Sequence, residues 1–413
     1  MISATAISEN PNRAILLRLL RAEQVTEVSS EQWLTVVTLA RQHGINALLY
    51  RQLKTLGLTD QVPPAVLQTL RTDYLNEANR NAQIYSELSN ILSIFHRENI
   101  PVIPLKGAYL AEHIYGNIAV RPMRDLDLLV KQEDLWRVEE ILKEMSYIRF
   151  HPGEGEEGIR HVEYNHAQLG LKVEIHWDFI PEGYGLCVDL HNLWNRTRPA
   201  LVAGVGVAAM SPEDLLLYLC IHASDHVFEM GLRLVCDITE TLRYNQSKLD
   251  WVCIQQRAQM WRVNNCAYVN LWLAKKLLGA PIPENWLDSL KLQGSDQCYL
   301  ILAENRLFAS VEKPDQSLQA LRNTTQIWFA KSTRYKLAIL FRRIFLSRQV
   351  IAMKYHVHPN SLRIFLYYPL ALKDMLQKHG RLGWHLIHFD AQDHSPTNGQ
   401  NEASGLRDWL FSR

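Results

Sequence analysis

Residues 105–130, LKGAYLAEHIYGNIAVRPMRDLDLLV, carry a lysine-glycine pair at one end and two aspartates at the other. The segment DLDLLV alternates polar and apolar as a half-buried strand does. Residues two apart in a strand point the same way, so Asp125 and Asp127 share one face while Leu126 and Leu128 turn to a core. Two carboxylates side by side repel unless a cation sits between them, and Mg²⁺ prefers carboxylate oxygen. A strand end with solvated acids is the plain alternative.

The other end of the stretch adds context. IPVIPL (100–105) is short, β-branched and proline-bounded, and GAYLAEHIYG reads as a helix closed by Gly116. Lys106 and Gly107 therefore stand where a strand gives way to a helix. There the Gly107 backbone can approach a ligand closely, and free N–H groups can meet phosphate oxygens. Arg121 and Arg124 offer further cations to a triphosphate.

Downstream, a helix is expected over 134–147, then the Gly/Glu loop GEGEEG (153–158). VEYNHAQL and LKVEIHWDF then flank Gly170 as a hairpin. Glu174, His176 and Asp178 share a face of the second hairpin strand, with Glu174 set between Val173 and Ile175. Burying a glutamate is costly unless it is paired or metal-bound. An ion pair with a lysine or arginine of the helical region is one resolution. The other is that this strand lies beside DLDLLV, where Glu174 completes a three-carboxylate site able to hold two ions, Mg²⁺ or Mn²⁺, for in-line phosphoryl chemistry.

Helical periodicity surrounds this α/β unit. It predicts three helices before residue 100 and resumes at SPED (211–214), where Ser211 can cap, Pro212 suits the first helical position and Asp214 can close a capping box. The expected architecture is α+β. An N-terminal helical region (1–99) precedes an α/β core (100–205), a helical domain packing on that core (206–330), a basic helical region (331–390) and a disordered tail (391–413) whose last residues, LRDWLFSR, could form a terminal helical turn. A chain of 413 residues suits several domains.

Apolar residues make up 47% of the chain and charged residues 21%, a globular composition. The start lacks the pattern of a secretory signal, and no apolar run is long enough to span a bilayer. The expected location is cytoplasmic. Six scattered cysteines without a CxxC pair suit buried reduced thiols. The net charge of +1 conceals an asymmetry, since residues 331–389 hold eleven Lys/Arg against Asp374 alone. Interleaved with aromatics, that segment suits RNA contact, with core aromatics and solvated charges as the simpler reading.

The succession Lys106-Gly107 with its helix, RPMRDLDLLV, a further helix and VEIHW resembles the nucleotidyltransferase superfamily of the DNA polymerase β type. More narrowly, it is similar to the bacterial uncharacterised nucleotidyltransferase family over about residues 95–245. The resemblance implies a small mixed sheet with helices, a divalent metal and an NTP substrate, with ATP the expected nucleotide. It implies that Gly107 holds nucleotide phosphates, that Asp125 and Asp127 are metal ligands, and that Glu174 is the third carboxylate, which helps activate an acceptor hydroxyl. Ala108 stands where the superfamily usually has a second Gly or a Ser. A histidine-bearing helix followed by an Arg and an Asp also recurs beside that domain. His222, Arg233 and Asp237 are accordingly expected to line or brace the cleft with His176. His222 and His226 could instead form a metal pair, although the third ligand such a site needs is not evident. The rival expectation for the whole chain is a non-catalytic nucleotide- or RNA-binding protein that keeps the fold.

Overall fold

Asn10 accepts hydrogen bonds from the backbone N–H groups of Asn12 and Arg13 and so starts α1 (Pro11–Leu20). A capping box between Ser29 and Gln32 starts α2 (Ser30–Gln42). Next come α3 (Asn46–Thr55) and the long α4 (Pro64–Arg97). Among the described residues the N-terminal region thus has four α-helices rather than three. The extra break falls at Gly44, whose φ of +64° turns the chain between α2 and α3 within what periodicity reads as one helix. The computed structural model describes residues 10–150, 160–181, 184–289, 297–312 and 398–412, with single positions and a short stretch between 351 and 373. The loop GEGEEG and most of the basic segment 331–389 lie outside the described residues.

The α/β core follows as β1 (Val102–Pro104), α5 (Lys106–Tyr109), a π-helical turn (Leu110–Ile114), β2 (Asp125–Val130), α6 (Leu135–Glu144), β3 (Tyr147–Arg149), β4 (His161–His166) and β5 (Lys172–His176). These strands form one mixed sheet in the order β1-β2-β5-β4-β3. β2 and β5 run parallel, while β1–β2, β5–β4 and β4–β3 are antiparallel. The expected hairpin and the expected neighbour of DLDLLV are both present.

One face of the sheet is apolar. Leu126, Leu128, Val130, Val173 and Ile175 pack with Leu88, Leu92 and Phe95 of α4 and Val138 and Leu142 of α6. Period two therefore sends Asp125, Asp127, Lys172, Glu174 and His176 to the opposite face.

After α7 (Leu190–Asn195) comes a separate hairpin, β6 (Arg198–Val202) and β7 (Val205–Ala209). The helical part contains α8 (Pro212–Asp225), α9 (Leu232–Tyr244), α10 (Trp251–Trp261), α11 (Asn264–Leu278), α12 (Glu284–Ser289) and α13 (Gln297–Glu312). Ser211 accepts from the Asp214 N–H and starts α8 as its sequence suggests. The helices share one core with α1–α3, through residues such as Leu19, Trp33, Leu49, Leu216, Ile238 and Leu271.

The expectation of a disordered tail is corrected for residues 398–412. Asn398–Leu410 is a helix that packs against α8, α11 and α13, and Leu406, Leu410 and Phe411 are buried. Its apolar side has a core to cover, which a purely compositional reading of the polar stretch before it overlooks. The six cysteines are free, but only Cys220, Cys236 and Cys266 are buried, while Cys187 and Cys298 are exposed. Among the described residues no helix is long and apolar enough to cross a membrane.

Candidate active site

Parallel pairing of β2 with β5 sets Asp127 opposite Glu174 and Asp125 opposite Lys172. Asp127, Glu174 and His176 are buried, and ligand atoms of all three lie within 4.8 Å of one another. The His176 Nε2 is 3.0 Å from Asp127 Oδ1 and 3.4 Å from Glu174 Oε2, so one ring nitrogen bridges two acids.

Two lysines complete the cluster. Lys106 donates to Asp127 Oδ1 at 2.7 Å from a backbone held at φ +44°. A left-handed lysine at the junction of β1 and α5 is a strained conformation of the sort that functional sites tolerate. Lys172 lies 2.6 Å from Glu174 Oε1, 3.4 Å from Asp125 Oδ2 and 3.9 Å from Glu163 Oε1. Its partner Glu163 stands opposite Glu174 in the β4–β5 register, and His161 stands opposite His176. The two imidazoles stack with centroids 4.9 Å apart.

The electrostatics follow from this crowding. Burial disfavours charge on Asp127, but Lys106 and the hydrogen bond from His176 hold its carboxyl below the ordinary range. Burial likewise opposes the Glu174 carboxylate, and His176 and Lys106 reverse that effect. Asp125 goes the other way, because burial and repulsion from Asp127 and Glu174 raise it. Burial would lower Lys106, Lys172 and His176, yet their acid partners lift all three. His161 is pushed down to about 4 by burial and by the charge of His176, which keeps it neutral.

The structure distributes the other expected site residues differently. Arg121 is buried in a bidentate pair with Asp237, with Nη2–Oδ2 at 2.8 Å and Nε–Oδ1 at 3.3 Å, and Tyr115 also donates to Asp237 at 2.9 Å. Arg124 pairs with Glu77 at 3.2 Å. Both arginines expected to meet phosphate are thus engaged by carboxylates. Gly107 lies in α5, where an added Cβ would come within 2.6 Å of Met123 Cγ and 2.8 Å of Arg121 Nη1. The close approach that this glycine permits is by the segment leading into β2. Asp178 lies beyond β5, where its carboxylate accepts from the Ile180 N–H at 2.8 Å.

Helix α8 carries Tyr218 and His222, with ring centroids 6.3 Å apart, and His226 meets His222 edge-on at 4.6 Å. The charges of Asp127, Glu174 and Lys106 act on Tyr218, and that of Lys106 on His222, so this helix borders the polar face of the sheet. Burial, together with Lys106, holds His222 well below its ordinary range and hence neutral. Arg233 on α9 makes no hydrogen bond or ion pair among the described residues, and its Nε is buried. Burial and repulsion from Arg121 depress it, while Asp237 and Asp125 attract it. It is a partly buried cation with no acid of its own among the described residues, an arrangement that suits an anionic ligand.

Sequence reasoning singled out neither Lys172, Glu163 nor His161. Period two carried one step back from Glu174 reaches Lys172, and counting across the Gly170 hairpin reaches Glu163 and His161.

Carboxylate oxygen with one imidazole is a donor set that suits a divalent ion. The Asp127–Glu174–His176 group and a second group, His161–Glu163–Glu174, each fall within a span that one ion could bridge. Residues 29–279, more than half of the chain, match the family described as Uncharacterised nucleotidyltransferase. The match extends beyond the α/β core to take in α2–α4 on one side and α8–α11 on the other. No curated protein and no solved structure matches the chain.

Proposed function

The chain belongs to the uncharacterised nucleotidyltransferase family, and from that premise we propose that it transfers a nucleoside monophosphate from a metal-bound NTP to an acceptor hydroxyl. The observation that carries this reading is the register of β2 against β5, which brings Asp127 and Glu174 together with His176 on the polar face of the sheet. In the reaction, the acceptor oxygen forms a bond to the α-phosphorus. The bond from that phosphorus to the α–β bridging oxygen breaks, pyrophosphate leaves and the acceptor proton is released.

Asp127 and Glu174 would hold a divalent ion, with Asp125 beside them and His176 fixing both carboxylates. When bound, such an ion neutralises phosphate charge and favours the ionised acceptor. Glu174 orients the acceptor side of the site. Lys106 can turn from Asp127 to a phosphate oxygen once another cation reaches that carboxylate. Arg233, not Arg121 or Arg124, is assigned to the triphosphate because it has no acid of its own among the described residues. Arg121 and Asp237 instead brace the segment that enters β2.

Incubation of the pure protein with α-labelled NTPs, Mg²⁺ and a cell extract as the acceptor source tests this reading. Label should pass to an acceptor with the wild-type chain and should fall by at least about 100-fold with Asp127→Asn. Unchanged labelling by that variant would contradict the assignment.

A second reading has one specific observation in its favour: Glu174 is already paired with Lys172 and His176. On that reading the chain binds a nucleotide without turning it over. Mg²⁺-dependent NTP binding with no labelled product from any extract would favour it.

A further inference from the structure

We propose that the ammonium of Lys172 occupies the place of a second divalent ion, so that the site takes up one divalent ion per chain. This inference rests on the metal-dependent reading above and concerns how many ions that site can accept. Its basis is the environment of Lys172 Nζ, which lies 2.6 Å from Glu174, 3.4 Å from Asp125 and 3.9 Å from Glu163. Those acids come from β5, β2 and β4, three adjacent strands of one sheet. Two of them, Glu163 and Glu174, belong with His161 to a group whose ligand atoms all lie within 4.8 Å of one another. The ammonium therefore sits where acids from separate strands converge, as a metal ion would.

Lys106 differs from Lys172 in this respect. It contacts the single carboxylate of Asp127 and stands at the junction between β1 and α5 rather than within a paired strand. Lys172 belongs to a central strand paired on both sides, with its main chain fixed opposite Asp125 and Asn165. A lysine held this way keeps its ammonium among three acids, and a second divalent ion placed there would meet its repulsion directly. Asp127, Glu174 and His176 remain for one ion. Glu174 then serves both cations, through Oε2 on the side of His176 and Oε1 on the side of Lys172.

The test is a count of bound Mn²⁺ on the full chain, with free Mn²⁺ measured by electron paramagnetic resonance and no nucleotide present. The wild-type chain should bind one Mn²⁺, Lys172→Arg should also bind one, and Lys172→Met should bind two. Adding Glu163→Gln to Lys172→Met should return the count to one. Two ions on the wild-type chain, or one on folded Lys172→Met, would overturn the inference while leaving the metal-dependent reading intact. A wild-type chain that binds no Mn²⁺ would overturn both. Two ions on the wild-type chain would overturn the inference even if Lys172→Met does not fold.

Discussion

Asp127 is where the cluster converges, since it accepts from Lys106 and His176 and stands level with Glu174. The acids of the site were legible as residues because a polar side chain repeated every second position of an otherwise apolar strand demands a partner. Its cations were less legible. Lys172 reads as an ordinary solvated lysine until β4 and β2 are placed on either side of it. Arg121 and Arg124 read as phosphate ligands from their nearness in sequence but are held by Asp237 and Glu77, whereas Arg233, over a hundred residues further on, has no acid of its own among the described residues. Hydrogen bonds to charged groups are worth about 1.5–3 kcal/mol. Arg233→Ala should therefore raise the KM for NTP by about 10–100-fold, with a smaller change in kcat and an unchanged circular dichroism spectrum. Steady-state kinetics at varied NTP would check this, and an unaltered KM would remove Arg233 from the phosphate site.

Among the elements, β2, α6, β4 and β5 were legible because alternation or helical period is strong in each, and β1 because its β-branched residues lie between prolines. Strand β3 has three residues, and β6 contains Pro199, so neither carries a sufficient pattern. The junction between β1 and α5 was read for the right glycine but for a different neighbour. Gly107 makes room for Met123 and for an Arg121 guanidinium already fixed by Asp237 and the Pro122 carbonyl. Met123 can adjust, but Arg121 has little freedom. Gly107→Ala should accordingly cost about 1–3 kcal/mol by overpacking. Urea denaturation of the full chain would measure it, and wild-type stability in the variant would show that the segment before β2 can yield.

Across the whole molecule, the buried Arg121–Asp237 pair ties the entry to β2 to helix α9, and Tyr115 joins it from the turn after α5. Such a link between residues 116 positions apart cannot be read from local pattern. Resemblance set Asp237 near the cleft, residue chemistry offered Arg121 to a triphosphate, and the structure joins the two. Asp237→Ala leaves a buried guanidinium without its acid and should cost about 3–5 kcal/mol. Chemical denaturation would report that loss, and Asp237→Asn should recover part of it by retaining a hydrogen-bond acceptor. The family match runs from α2 to the end of α11, and the shared core of α1–α3 with the helices after residue 211 gives this a physical basis. Nucleotidyl transfer at this site would depend on that assembly holding α8 beside the polar face of the sheet. Parallel reactions with α-labelled and γ-labelled ATP, Mg²⁺ and an acceptor-containing extract test it most directly. The acceptor should carry the α-label, the γ-label should be recovered as pyrophosphate, and Glu174→Gln should lose both signals. Acceptor carrying the γ-label, or undiminished transfer by Glu174→Gln, would contradict nucleotidyl transfer at this site.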